Sequence, residues 1–258
     1  MNCVELKEQI ERDWPDRARC RLDAASRVNE VTCERAALAD LCRRVFHDWD
    51  LSFAGLIVEE AAGAWQLRYV FHGDPDAGWV HVLACAPLTE TVFPSIVVQA
   101  GIDAADWHER EAEDLFGIRF DGHPRLGDFI LHDDAWQEGV EPMRRGFDAE
   151  AAMRNRLPAA DWRPRRIVQE PGAFVMPIGP KFSGVTESVH FLLETVGEDV
   201  IRSSTRLFYK WRAVEKLAES KTAEEVLLLA ERFAGTTAFA HGLAFCHAVE
   251  SITGTNVP

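Results

Sequence analysis

The chain has 258 residues, 47% of them hydrophobic and 27% charged, with a formal net charge of −14. That is enough apolar chain for one large or two modest globular domains. The acidic balance excludes nucleic acid as a main partner, and it disfavours direct binding to an anionic membrane face, because both need clustered Lys and Arg.

Residues 1–12 are polar with a helical pattern and lack the apolar centre of a signal peptide. No run approaches the roughly 18 apolar residues of a spanning helix, so no direct membrane insertion is expected. Cys3, Cys20, Cys33, Cys42, Cys85 and Cys246 form no Cys-x-x-Cys, which fits a reducing compartment rather than a disulfide frame or zinc site.

Residues 1–30 read as a polar, partly helical lead-in. From Cys33 to His47, the residues Ala37, Leu38, Leu41 and Val45 recur at helical spacing. Three strands follow at 51–59, 65–72 and 79–86, with turns at Ala61–Gly63 and Asp74–Gly78. The middle strand alternates Trp65, Leu67, Tyr69 and Phe71 with polar residues. Trp65, Phe71 and Trp79 are expected in the core. A helix, an antiparallel or mixed sheet and a closing helix predict an α+β domain.

The closing helix starts the densest stretch of the chain, Trp107 to Pro124. Asp106 is expected to cap it, with Glu109 at capping-box spacing. Gly117 suits a left-handed stop, and Gly122 with Pro124 forces a turn. Between Glu109 and Asp114 the helix carries five charged side chains. Two readings stand: a solvated, salt-bridged face, or a polar docking surface for a neighbouring subunit.

Residues 136–172 are rich in Arg and Pro, with Arg144, Arg154, Arg156, Arg163 and Arg166 among Pro142, Pro158, Pro164 and Pro171. Trp136, Phe147 and Trp162 make this a linker lying over other surfaces rather than a free tether. In 173–258, Gly197-Glu-Asp is a hairpin turn between strands at 189–196 and 200–204. Leu207 to Ser220 has the period of one amphipathic helix. Thr222 with Glu225 forms a capping box for the next, Gly235 breaks that one, and Ala238 to Ile252 is a third. The core of this unit is expected to be thin.

The motif Glu109-Arg-Glu111, Asp114-Leu-Phe-Gly-Ile118, Gly122-His-Pro124 resembles the signature of the 30-kDa subunit family of respiratory complex I, whose module is also found in membrane-bound hydrogenases. The resemblance implies a 30-kDa-type domain over 31–135, packed beside an iron–sulfur subunit and docked through Glu109, Arg110, Glu111, Asp114, Phe116, Gly117, His123 and Pro124. In 173–258, Ile178-Gly-Pro180, Gly197-Glu198, Leu207-Phe-Tyr209, Glu215 to Glu219, Glu231-Arg232, Ala240-His241 and Ala248-Val-Glu250 resemble the N-terminal part of nickel–iron hydrogenase large subunits. The fused formate hydrogenlyase type is the nearest pattern, and the complex I 49-kDa subunit shares the ancestry.

The departures are specific. Where the hydrogenases carry a cysteine pair for nickel and iron, this chain has Ala234 and Thr237, which offer no sulfur. Cys246 reads as a buried small hydrophobe. The quinone-site histidine and tyrosine of complex I fall near Phe182 and at Gly235, and the family's His-Arg-Gly is Trp211-Arg-Ala213. No dinucleotide or phosphate loop is present, and His241 and His247 point about 120° apart on a helix. His123, His132, Asp133 and Asp134 read as turn and loop residues rather than metal ligands.

The expectation is a structural subunit of a membrane-associated respiratory oxidoreductase complex, with iron–sulfur clusters in partner subunits and no metal or cofactor on this chain. It would lie in the cytoplasm, held to the inner membrane face by iron–sulfur and membrane subunits. The alternatives are an active component of a nickel–iron hydrogenase or NADH dehydrogenase (ubiquinone) complex, and an assembly or scaffold factor. The abrupt end after a helix also fits a truncated or split protein.

Overall fold

The computed structural model describes residues 2–157, 161, 168–169, 171–180 and 188–255. It divides into two compact units, Met1–His132 with Glu138–Phe147, and Asp133–Gln137 with Asp148–Pro258.

The first unit begins with helix α1 (Cys3–Asp13), closed by a capping box between Asn2 and Glu5. Its Leu6 and Ile10 are fully buried. Strands β1 (Ala18–Asp23) and β2 (Val28–Cys33) form an antiparallel hairpin. Residues 3–33 are therefore a built part of the fold rather than a polar lead-in. Asn29 disguises the pattern: it is buried, accepts a hydrogen bond from Cys20 Sγ, and donates one to the Cys3 carbonyl at 2.8 Å. A polar side chain satisfied in this way occupies a core position that reads as solvent-facing in the sequence.

The expected helix from Cys33 is broken into a 3-10 turn (Arg35–Ala37), α2 (Leu38–Arg43) and a π-helical turn (Arg44–Asp48), because Cys33 still belongs to β2. Then come β3 (Ser52–Ala61), β4 (Ala64–His72) and β5 (Trp79–Pro87). Ala62 and Gly63 both have positive φ, the conformation a two-residue hairpin loop requires. The sheet order is β1-β2-β5-β4-β3, with β2 parallel to β5 and the other pairs antiparallel. Trp65, Leu67, Tyr69 and Phe71 of β4 are all fully buried. Trp79 is not a core residue: it opens β5 opposite His72 and is 42% exposed.

Beyond the sheet, β6 (Val92–Pro94) leads through Ser95 into the short helix α3 (Ile96–Gln99). After a 3-10 turn come α4 (Asp106–Phe116) and β7 (Arg119–Asp121), which runs parallel to β6. Residues 138–147, part of the expected linker, return to this unit. Arg144 lies over the Trp65 ring and pairs with Glu60 at 3.0 Å, and Met143 N–H donates to the Leu115 carbonyl.

The second unit starts with α5 (Ala149–Arg154) and holds a three-stranded antiparallel sheet of β8 (Ala173–Ile178), β9 (His190–Val196) and β10 (Asp199–Arg206), in the order β10-β9-β8. Gly197 has φ +61 in the expected hairpin turn. The single helix expected over 207–220 is absent. Phe208 and Ala213 have positive φ, which stops an α-helix, and only α6 (Val214–Ala218) forms. The Thr222 capping box does open α7 (Ala223–Glu231). Helix α8 (Ala238–Thr253) ends at left-handed Gly254. At Gly242 a side chain would press on Glu231 and Leu227, so α7 and α8 meet there closely. Among the described hydrophobic residues of this unit, Leu192 alone is buried, and Cys246 is half-buried rather than interior. The expected features at Pro158, Trp162, Arg163, Pro164, Arg166 and Phe182 lie outside the described residues.

Candidate functional site

The charged side chains of α4 face inward and along the following loop. Glu109, at the first turn, is fully buried. Its Oε2 accepts from the Ser95 hydroxyl at 2.6 Å; its Oε1 accepts from Ile96 N–H at 2.8 Å and Tyr69 O–H at 3.3 Å. One carboxylate thus fastens α4 to β4 and to the start of α3. Burial pushes its pKa up to about 7, although the three donors favour the ionised form. Burial, and after it the nearby Glu109, pushes the Tyr69 hydroxyl well above its usual range.

The expected capping box at this helix does not form. Ala105 is the cap residue and no side chain closes the N-terminus. Asp106 lies inside the first turn, where Arg125 donates to its Oδ2 at 3.0 Å. His123 Nδ1 accepts from Arg125 N–H at 3.1 Å, so the ring proton sits on Nε2. Nε2 faces Asp106 Oδ1 at 3.5 Å and Glu109 Oε2 at 4.0 Å. The imidazole is fully covered, and burial holds its pKa below the usual value against the pull of Asp106.

Further along α4 the pattern repeats on the loop backbone. Arg110 lies 4.1 Å from the Phe129 ring centroid and donates to the Gly127 and Asp128 carbonyls. Glu113 accepts from Gly127 N–H at 2.8 Å. Asp114 Oδ2 accepts from both Ile130 and Leu131 N–H at 2.6 Å. Charged acceptors make such bonds roughly twice as strong as neutral ones. Phe116 packs edge-on against Trp65 at 6.3 Å. Gly117 ends the helix at φ +73, with the Glu141 carboxylate lying where a Cβ would stand. Glu111 is half-buried, and exposed Pro124 borders an open cleft of about 370 Å³.

The eight signature residues lie along α4, at its Gly117 stop and in the turn at 123–124. Glu109 and His123 have no exposed side-chain surface, and half-buried Asp114 is bonded to the loop amides. They fix the shape of α4 and residues 122–131. Sequence reading missed Tyr69, Ser95, Arg125, Glu60 and Glu141. Tyr69 alone gave a signal: a hydroxyl within an otherwise apolar buried stripe needs a partner. The set contains Ser, His and carboxylates, but it is not a hydrolytic centre. Ser95 is fully buried and its hydroxyl is donated to Glu109.

In the second unit, Ala234 is extended and Thr237 closes a 3-10 turn, its carbonyl taking a bond from His241 Nδ1. Arg212 donates to the Phe233 carbonyl at 2.6 Å. A nickel–iron centre does not fit this donor set, which offers one hydroxyl and no thiolate. Among the described residues no three His, Cys, Asp or Glu side chains cluster as metal ligands, and no helix is long and apolar enough to cross a membrane.

With this geometry in place, comparison with known families is decisive for the first unit. Residues 31–153 match the family described as respiratory-chain NADH dehydrogenase, 30 Kd subunit. The chain carries a complex I 30-kDa domain. It is 35% identical to hydrogenase-4 component G of Escherichia coli K12 over 186 residues, covering 70% of this chain and 32% of that protein. It is 33% identical to formate hydrogenlyase subunit 5 of the same strain over 184 residues, with the same coverage. With the C/D fusion protein of the NADH-quinone oxidoreductase of Bdellovibrio bacteriovorus it shares 29% over 201 residues, 74% of this chain and 34% of that protein. The chain thus spans about a third of the length of these relatives. In fold, it is similar to a chain of the archaeal membrane-bound sulfane sulfur reductase complex, with a TM-score of 0.50 and 22% identity over 58% of this chain and 88% of that one.

Proposed function

We propose that the chain is a subunit of a membrane-associated respiratory oxidoreductase complex, of the NADH:quinone oxidoreductase or formate hydrogenlyase kind. It sits beside iron–sulfur subunits in a structural, docking role and carries no redox metal of its own. Partner subunits hold it at the inner face of the cell membrane. Electrons pass through the clusters of those partners.

One observation carries this reading. Three acidic groups of α4 are held internally: Glu113 and Asp114 brace residues 127–131, Asp114 taking two loop amides at 2.6 Å, and Glu109 is locked to three donors from Tyr69, Ser95 and Ile96. Such an arrangement gives a stiff surface of fixed shape rather than a reactive cavity. Ala234 and Thr237, where sulfur ligands would be needed, support the absence of a metal role.

The test is native purification of the membrane complex through a tag on this chain. The expected result is stoichiometric retention with subunits showing iron–sulfur spectra, and no nickel in the isolated chain. Stoichiometric nickel on this polypeptide would overturn the metal-free role. Transient association, with absence from the mature complex, would overturn the subunit role in favour of an assembly factor.

A further inference from the structure

The open cleft beside α4 lies between Val97, Asp103, Asp106, Trp107, Pro124 and Arg125. Its walls combine an apolar part, Val97, Trp107 and Pro124, with two carboxylates. Trp107 is 54% exposed. Asp106 is buried except for a small area, yet its Oδ2 accepts from an arginine whose side chain is 68% exposed. Its other oxygen, Oδ1, has no hydrogen bond and faces His123 Nε2 across 3.5 Å. Asp103, at the cleft's edge, is exposed.

From this arrangement we propose that the cleft receives an arginine side chain from a partner polypeptide, and that Arg125 is its placeholder. The inference rests on the docking reading above and names the chemistry of the docked group. The charges favour a cation. Among the lining residues two carboxylates stand against one guanidinium, which is mostly in water, while the nearby Arg110 is itself bonded to the Gly127 and Asp128 carbonyls. An arginine that stands mostly in water and makes one bridge to a carboxylate is weakly held, so exchange for a second arginine costs little. The incoming group gains what Arg125 lacks. Its stem lies on apolar walls, its plane can stack on the Trp107 indole, and its fork can reach Oδ2 of Asp106 and the Asp103 carboxylate together. Arginine suits this better than lysine, whose point charge neither stacks nor bridges two acceptors.

The experiment titrates the full chain with N-acetyl-arginine methylamide, and with the citrulline analogue as its neutral isostere. The Trp107 indole N–H is followed by NMR, assigned through Trp107→Phe. Removal of the placeholder in Arg125→Ala should tighten arginine binding about fivefold, the equivalent of the lost competing bridge. Adding Asp103→Asn should reverse most of that gain. Asp103 is exposed, and among the described residues its side chain makes no hydrogen bond or ion pair, so the double variant should fold as the single one does. Citrulline should give no saturable shift. Equal shifts from arginine and citrulline, or arginine binding insensitive to both changes, would overturn the proposal. These titrations do not depend on retention of the chain in the membrane complex. A chain that is retained but shows no arginine binding sinks this inference alone, and a chain that is lost from the complex sinks the reading beneath it.

Discussion

The Glu109 carboxylate lies 2.6 Å from the Ser95 hydroxyl, in an interior where neither side chain meets water. Both belong to short segments around α4, and their bond joins the start of α3 to the helix that carries the family signature. The hydrogen bonds favour an ionised Glu109, whereas burial opposes it more strongly.

That conflict gives a pH dependence. Glu109 has a pKa raised from 4.5 to about 7 in the folded chain. Protons therefore bind the folded state more tightly, and the associated stability is present below about pH 4.5 and lost as pH rises through 7. The loss is on the order of 3 kcal/mol. Glu109→Gln removes the titration and keeps the geometry, since an amide oxygen can face Ile96 and Tyr69 while its NH2 donates to Ser95. Urea midpoints at pH 5 and pH 8 should differ less in the variant than in the native chain. An unchanged difference would refute the assignment.

Loop bracing by Asp114 predicts a local effect. Asp114→Ala leaves the Ile130 and Leu131 amides without their acceptor. At about 1–3 kcal/mol for each unsatisfied buried donor, the loss should be about 2–6 kcal/mol. Hydrogen exchange should speed up at residues 127–131 while the amides of β4 remain protected. Asp114→Asn, which keeps an acceptor oxygen, should lose less.

Gly117 combines two constraints that can be separated. Its φ of +73 disfavours any L side chain, and a Cβ would meet the Glu141 carboxylate. Gly117→Ala should cost about 1–2 kcal/mol for the backbone alone, and more for the collision. Adding Glu141→Ala should recover only the collision part, less the contribution of the ion pair that Glu141 makes with Arg144 at 2.9 Å. A denaturant double-mutant cycle measures this coupling.

The tryptophans offer the simplest check on the sheet. Trp65 is fully buried, whereas Trp79 is 42% exposed. Trp65→Ala should cost about 3–5 kcal/mol, as cavity-forming changes at large aromatics do. Trp79→Ala should fall well below that. Similar losses from both would contradict the placement of the β5 start.

Local patterns were legible in the sequence and distant partnerships were not. The stripe Trp65-Leu67-Tyr69-Phe71 was readable because one-faced burial forces period-two alternation. Thr222 with Glu225 and the stop at Gly117 were readable because caps depend on neighbours in sequence. Asn29 hid β2, since its satisfaction comes from Cys3 and Cys20, far away along the chain. The 207–220 segment misled because its apolar spacing is helical while Phe208 and Ala213 adopt left-handed backbone. At the site, the sequence displayed the charges of α4 but not their direction. Glu109 and Asp114 face inward to donors from residues 69, 95, 96, 130 and 131, which no local pattern reveals.

That Leu192 alone is buried among the described hydrophobic residues of the second unit has a calorimetric corollary. Heat capacity rises on unfolding in proportion to the apolar surface released. A segment that hides so little of it, with Phe239 82% and Ile252 86% exposed, should melt with a shallow, almost silent thermogram. A sharp endotherm from this region would require its oily helices to be shielded by another surface first.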